Sequence, residues 1–205
     1  LLLLAVLLAS ERAVPAAGAA ESVVSGAPSF RHEVMAVLSR AGCSLGTCHG
    51  NQNGKGGLRL SLRGQDPEAD YTTLTRSLGA RRVNVQQPDD SLLLQKPANV
   101  LPHGGGQRMS PGTYEWDLVT RWIQQGMPYG SAEDPVLQRI EAVPAVREMN
   151  FRSRQQLSVL AHYSDGSVRD VTRLASYEPN YPEMAITNAF GRVTVEDVPD
   201  RKSVV

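Results

Sequence analysis

Cys43 and Cys48 are the only two cysteines in the chain, and His49 directly follows the second. Two thiols can add to the two vinyl groups of a porphyrin, and an adjacent imidazole can take its iron. This order therefore suits c-type haem attachment. The usual spacing is C-x-x-C-H, whereas here four residues lie between the thiols, giving C-x4-C-H. Two rival uses of the same residues stay open at this point. One is a Cys43–Cys48 disulfide, the common fate of a cysteine pair in an exported protein, which leaves His49 idle. The other is a zinc site made from both thiols, His49 and His103, which matches no standard ligand spacing.

A haem iron that only passes electrons needs a ligand on its other face. The loop Leu101-Pro102-His103-Gly104-Gly105-Gly106-Gln107-Arg108-Met109 offers His103, with Met109 as the alternative. Its three glycines allow the backbone to come close to a flat partner. Histidine–methionine ligation raises the reduction potential relative to two histidines, and an open position would admit ligand binding or peroxide chemistry. Arg81, Arg82 and Arg108 are candidate contacts for haem propionates, with a solvated basic loop as the plain alternative. Tyr71, Trp116 and Trp122 are candidates to pack on a porphyrin, although helix packing accounts equally well for Tyr71 and Trp122. His32 and His162 lie off the apolar phase of their elements and read as solvated. Gly54-Lys55 has neither the spacing of a phosphate loop nor a Ser or Thr after the lysine. No Ser/His/Asp set or carboxylate pair stands out, so no catalytic residue is assigned.

The elements that would position these groups are legible in part. Ser29 can cap a helix running to Ala41, with Phe30, Val34, Val37, Leu38 and Ala41 on one face and Gly42 as its stop. Leu58, Leu60 and Leu62 alternate with polar residues as a short strand would. Asp66-Pro67 opens a second helix carrying Tyr71 and Leu74. Ser91 to Leu94 read as a turn or two of helix. Ser110-Pro111 caps a longer helix with Tyr114, Leu118, Val119, Trp122 and Ile123 on its apolar face, closed by Gly126. From Pro135 the texture changes to strands: Leu157 to Tyr163, a turn at Ser164-Asp165-Gly166-Ser167, a return over Val168 to Val171, and two more strands around Phe190-Gly191.

Composition bounds the rest. The chain has 205 residues, balanced charge and 5% aromatics, which argues against a basic, aromatic-interleaved nucleic-acid surface. The run Leu1 to Leu8 is too short to span a bilayer but fits the apolar core of an export signal. Ala17-Gly18-Ala19 offers its cleavage site and leaves no membrane span in the mature chain. The sequence reads as beginning inside that signal and ending inside the strand region.

Taken together, Gly42-Cys43, Cys48-His49-Gly50, Gly54-Lys55, Leu60-Ser61-Leu62, Asp70-Tyr71, Arg81-Arg82-Val83, Ser91 to Leu94, Lys96-Pro97, Pro102-His103-Gly104-Gly105-Gly106 and Trp122-Ile123 resemble planctomycete cytochrome c-like domains. Those domains sit at the amino end of large exported proteins. The resemblance implies that C-x4-C-H is the family's own form of the attachment motif. It also marks Leu101-Pro102-His103 as a departure from the more typical Met-Pro-Pro before the last helix. Gln156-Leu157, Tyr163 to Ser167, Asp170-Val171-Thr172, Ala185-Ile186 and Gly191 to Thr194 resemble the bacterial Ig-like group 2 module.

The expected architecture is thus multidomain: a mainly α cytochrome c-like domain followed by an incomplete all-β Ig-like sandwich. Its parts are a signal remnant over 1–19, a linker over 20–28, a haem domain over 29–130 and the sandwich over 137–205. The expected function is a periplasmic or cell-surface electron-transfer module. It holds one covalent haem c through Cys43 and Cys48, with His49 and His103 on the iron. Its redox partner is unknown, a surface polymer or protein is a candidate partner for the Ig-like part, and any catalytic domain lies outside this chain. The alternative is a disulfide-bonded cell-surface binding or scaffold protein.

Overall fold

The structure is a computed structural model that describes residues 27–196. The expected signal remnant, residues 20–26 of the expected linker and residues 197–205 of the expected sandwich lie outside the described residues.

The first half is made of short helices joined by long loops. A π-helical turn, Phe30–Val34, runs directly into α1, Met35–Arg40. Gly42 ends this element with a φ of 81°, a left-handed conformation that glycine adopts without strain. In α2, Pro67–Thr75, the Asp66 carboxylate accepts the Ala69 amide and Pro67 occupies the first turn, where its missing N–H costs nothing. The short α3 spans Leu92–Gln95. The longest helix, α4, covers Tyr114–Gln124 and is capped by the Thr113 hydroxyl rather than by Ser110. Phe30, Val34, Val37 and Leu38 from the first helix pack with Leu74, Leu94, Leu118, Val119, Trp122 and Ile123 in one core.

The expected strand over Leu58 to Leu62 is absent. Only an isolated antiparallel bridge between Lys55 and Leu58 forms there. The segment is held by other means, since Leu60 N–H donates to the His49 carbonyl at 2.8 Å. The buried Asp70 carboxylate accepts both the Ser61 amide, at 2.6 Å, and the Ser61 hydroxyl, at 2.7 Å. Burial pushes the Asp70 carboxyl up from its ordinary value, and the two Ser61 hydrogen bonds oppose that rise.

The second half contains six strands in two three-stranded antiparallel sheets. β1 (Leu137–Val143), β3 (Ser158–Tyr163) and β4 (Val168–Asp170) form one sheet in the order β1-β3-β4. β2 (Arg154–Gln156), β5 (Ala185–Thr187) and β6 (Arg192–Val195) form the other in the order β2-β6-β5. Arg40 joins the halves. It pairs with Glu115 of α4 and also donates to the Ala189 carbonyl at 2.7 Å, in the turn between β5 and β6.

This architecture corrects the expected fold class. Helices account for roughly a quarter of the described residues and none exceeds 11 residues. The first half is therefore loop-rich and not the mainly α cytochrome c-like domain that was expected. The physical reason is the density of left-handed backbone positions between the helices, at Gly54, Gly56 and Gly57 and from Leu78 through Ala80, which stop helix propagation. The second half does hold two small antiparallel sheets, as a partial β domain would. Among the described residues of its strands, Val159 and Ala161 are the buried hydrophobics.

Candidate functional site

A cleft of about 710 Å³ opens between the Cys43–Gly57 segment and the loop carrying His103. Its floor is apolar, formed by Leu38, Leu58, Leu60, Leu74 and Leu93. Its polar lining contains Lys55, Arg81, Arg82, Lys96 and Arg108 and no carboxylate, although the whole chain has 21 acidic and 21 basic residues. With no carboxylate to offset these cations, the cleft attracts anions.

His49 and His103 face each other here, with ring centroids 6.3 Å apart and ring planes within 16° of parallel. His49 Nδ1 lies 3.1 Å from the carbonyl oxygens of both Lys55 and Leu58. His103 Nδ1 lies 2.8 Å from the Gly106 carbonyl. A carbonyl only accepts, so in each neutral ring Nδ1 carries the proton and Nε2 keeps its lone pair. The His103 loop is braced at both ends. Lys96 Nζ donates to the Pro102 carbonyl at 2.9 Å, and Arg108 Nε donates to the Gly105 carbonyl at 2.8 Å.

The two cysteines also line the cleft, both as free thiols. Burial, and then the neighbouring Cys48 thiol, push the Cys43 thiol up to about 11, with Arg108 acting in the opposite sense. At neutral pH Cys43 is therefore a protonated, weakly nucleophilic thiol. The Cys43–Cys48 segment folds back on itself: Cys48 N–H donates to the Leu45 carbonyl and His49 N–H to the Cys43 carbonyl.

The structure brings Cys43, Cys48, His49, His103, Arg81, Arg82 and Arg108 to one cleft and separates the remaining candidates from it. Met109, the alternative ligand, is 4% exposed and belongs to the hydrophobic core. Tyr71 and Trp122 pack with Phe30 and Tyr129 in an aromatic cluster, and Trp116 is buried in the same core. Arg82 reaches the cleft but is committed elsewhere. Its guanidinium donates to the carbonyls of Thr73 at 2.8 Å and Gly57 at 2.6 Å, with a longer bond to Ser77. Arg82 thus ties α2 to the glycine loop. Replacing Arg82 by alanine removes these bonds and is expected to cost about 2 kcal/mol of stability, read as a lower urea midpoint at unchanged slope.

Two histidines expected to be solvated are not. His32 is half-buried 3.9 Å from Asp134, and burial, then Arg31, lowers its pKa. His162 is 2.9 Å from the Glu141 carboxylate and 3.1 Å from Arg139. Neither belongs to the cleft. Lys55 and Lys96 also line the cleft, and the sequence reading assigned neither to the site. Lys55 was visible only as a lysine amid glycines, and nothing in the spacing marks Lys96.

The expected covalent haem c is corrected. Cys43 and Cys48 are both half-buried and not joined to each other, and desolvation pushes the Cys43 thiol up to about 11. Among the described residues, no group of three or more His, Cys, Asp or Glu side chains could hold a metal ion. The same finding removes the zinc site of Cys43, Cys48, His49 and His103. Among the described residues, no helix is long and apolar enough to cross a membrane. In comparison with known proteins, no family model, curated protein or solved structure matches the chain.

Proposed function

We propose that the chain is a binding module of an exported protein, and that its cleft takes a flat, aromatic, anionic small molecule without a covalent bond. The observation that supports this reading is the lining itself: five basic side chains, no carboxylate, and an apolar floor. Apolar lining with a few convergent polar groups is the usual make-up of a small-molecule site. The near-parallel imidazoles suit a ligand with a flat body, because each presents a lone pair to donors on it. Arg81 and Arg108 would meet its anionic substituents, and the leucine floor its apolar face.

The test is a titration with flavin mononucleotide, its uncharged counterpart riboflavin, and an anilinonaphthalene sulfonate, followed by fluorescence. The two anions are expected to bind and riboflavin to bind at least tenfold more weakly. Arg81→Glu combined with Arg108→Glu is expected to weaken anion binding by about tenfold or more. Equal binding of flavin mononucleotide and riboflavin, or none of either, overturns the reading. So does an intact mass of the exported protein above that of its chain, which would mean a covalently held group.

Electron transfer is the second reading, favoured by the leucine floor. Apolar walls keep water from a conjugated ligand and set its reduction potential through the local dielectric. Reversible reduction of the protein as isolated, lost in the charge-reversed variant, would support it.

A further inference from the structure

The sheet β1-β3-β4 has β1 at its edge, and among the described residues no strand pairs with the outer side of β1. The hydrogen-bond alternation identifies which amides face outward. Val171 N–H donates to the Val159 carbonyl and Tyr163 N–H to the Ser167 carbonyl, so the odd-numbered residues of β3 serve β4. Ser158, Leu160 and His162 therefore serve β1, through their partners Val143, Glu141 and Arg139. The N–H and C=O groups of Ile140 and Ala142 are left pointing to the open edge. Ile140 is 62% exposed, and Leu137 and Val143 at the strand's two ends are 43% and 42% exposed. An exposed apolar edge with free amides is a template for another strand.

The order of side chains along β1, Leu-Gln-Arg-Ile-Glu-Ala-Val, is complementary to its own reverse. In an antiparallel pair centred on Ile140, Ile140 meets Ile140 of the second copy, and the free Ile140 amides exchange both hydrogen bonds. Arg139 then stands opposite Glu141 twice over, in the closely spaced positions where side chains approach best. A shift by one residue places Glu141 opposite Ile140 and loses this match. Arg139 and Glu141 are already fixed on one sheet face, 2.8 Å apart, with His162 beside them. The bulge in β1 lies between Leu137 and Arg139, so the five residues from Arg139 to Val143 pair regularly with β3.

We infer that a second copy of this chain docks on β1, edge to edge and antiparallel about Ile140, joining the two sheets into one of six strands. The full chain in sedimentation-velocity runs over a wide concentration range is expected to show a monomer–dimer equilibrium. Arg139→Glu alone and Glu141→Arg alone each set like charges opposite each other and should weaken the dimer roughly tenfold to a hundredfold. The two substitutions together restore opposite charges and should recover dimerisation. Circular dichroism and thermal melting of each variant separate lost docking from lost folding. A wild-type chain that stays monomeric throughout overturns the inference, as the charges would then only blunt the edge. A dimer indifferent to the single reversals, or a double reversal that remains monomeric, overturns it as well.

Discussion

Gly50→Ala is expected to destabilise the protein by about 3 kcal/mol or more and to abolish anion binding in the cleft. Gly50 is buried directly after His49, and its N–H donates to the Leu45 carbonyl at 3.0 Å. A Cβ built there falls on the carbonyl oxygen of Ser44 and within 2.5 Å of its carbonyl carbon. The obstacle is backbone, so no side-chain rotamer can relieve it. The Ser44 carbonyl cannot retreat freely either, because it accepts the Arg63 amide at 2.9 Å. Relief would have to come from moving Cys43 to Gly50 as a unit, which displaces the His49 ring from the Lys55 and Leu58 carbonyls. Gly104→Ala is the matched control. It lies on the His103 loop of the same cleft with open space where its Cβ would stand, and is expected to change stability by less than about 0.5 kcal/mol. Urea unfolding followed by the fluorescence of Trp116 and Trp122 measures both. A Gly50→Ala protein as stable as Gly104→Ala would show that the segment has slack that its packing does not reveal.

The glycine after His49 also shows how far the sequence could be read. Gly42 and Gly126 were legible as helix stops, because a glycine just past an apolar stripe has a local reason to be there. Both have left-handed backbone, at 81° and 83°. Gly50 has no such local reason, since its requirement comes from the carbonyl of Ser44. The same division runs through the fold. The helix start at Asp66-Pro67 followed from capping, and α4 followed from its apolar period although its cap is Thr113 and not Ser110. The strands around Gly166 and Gly191 followed from alternation and turn residues. β1 did not follow, because its charged and apolar side chains alternate on a strand exposed on nearly every residue, so no buried period exists to be detected. The segment Leu58 to Leu62 alternates like a strand but has no neighbour to pair with. In the site, the convergence of Cys43, Cys48, His49, His103, Arg81 and Arg108 was anticipated by residue type. Long-range commitments were hidden: Arg82 bonded to the Thr73 and Gly57 carbonyls, and Met109 drawn into the core. The covalent haem followed from the order of the thiols and His49, the His103 loop, the helices on either side and the family resemblance, whereas the desolvation that keeps Cys43 neutral depends on the folded surroundings.

Trp122→Ala is expected to cost about 3–5 kcal/mol, which approaches the whole stability of a small domain, so that much of the protein unfolds near 37 °C. The indole is fully buried and contacts Phe30 at 5.5 Å and Tyr71 at 6.5 Å between ring centroids. Its Nε1–H donates to the Pro128 carbonyl at 3.0 Å, and the same carbonyl accepts the Phe30 amide. The next residues bond in the same direction, with Arg31 N–H donating to the Tyr129 carbonyl and the Tyr71 hydroxyl to the Met127 carbonyl. Trp122 therefore fastens the strap that follows α4 to the start of the first helix, closing the first half of the chain upon itself. Truncation opens a cavity at that closure and frees the strap together with it. Trp122→Phe keeps a ring against Phe30 but loses the donor, leaving the Pro128 carbonyl with Phe30 alone, and should cost about 1–2 kcal/mol beyond the smaller volume change. Thermal melts by circular dichroism should thus rank wild type above Trp122→Phe and that above Trp122→Ala. The alanine variant should also show the fastest amide exchange at Phe30 and Arg31. If Trp122→Ala melts like the wild type, the aromatic cluster is not what holds the two ends together.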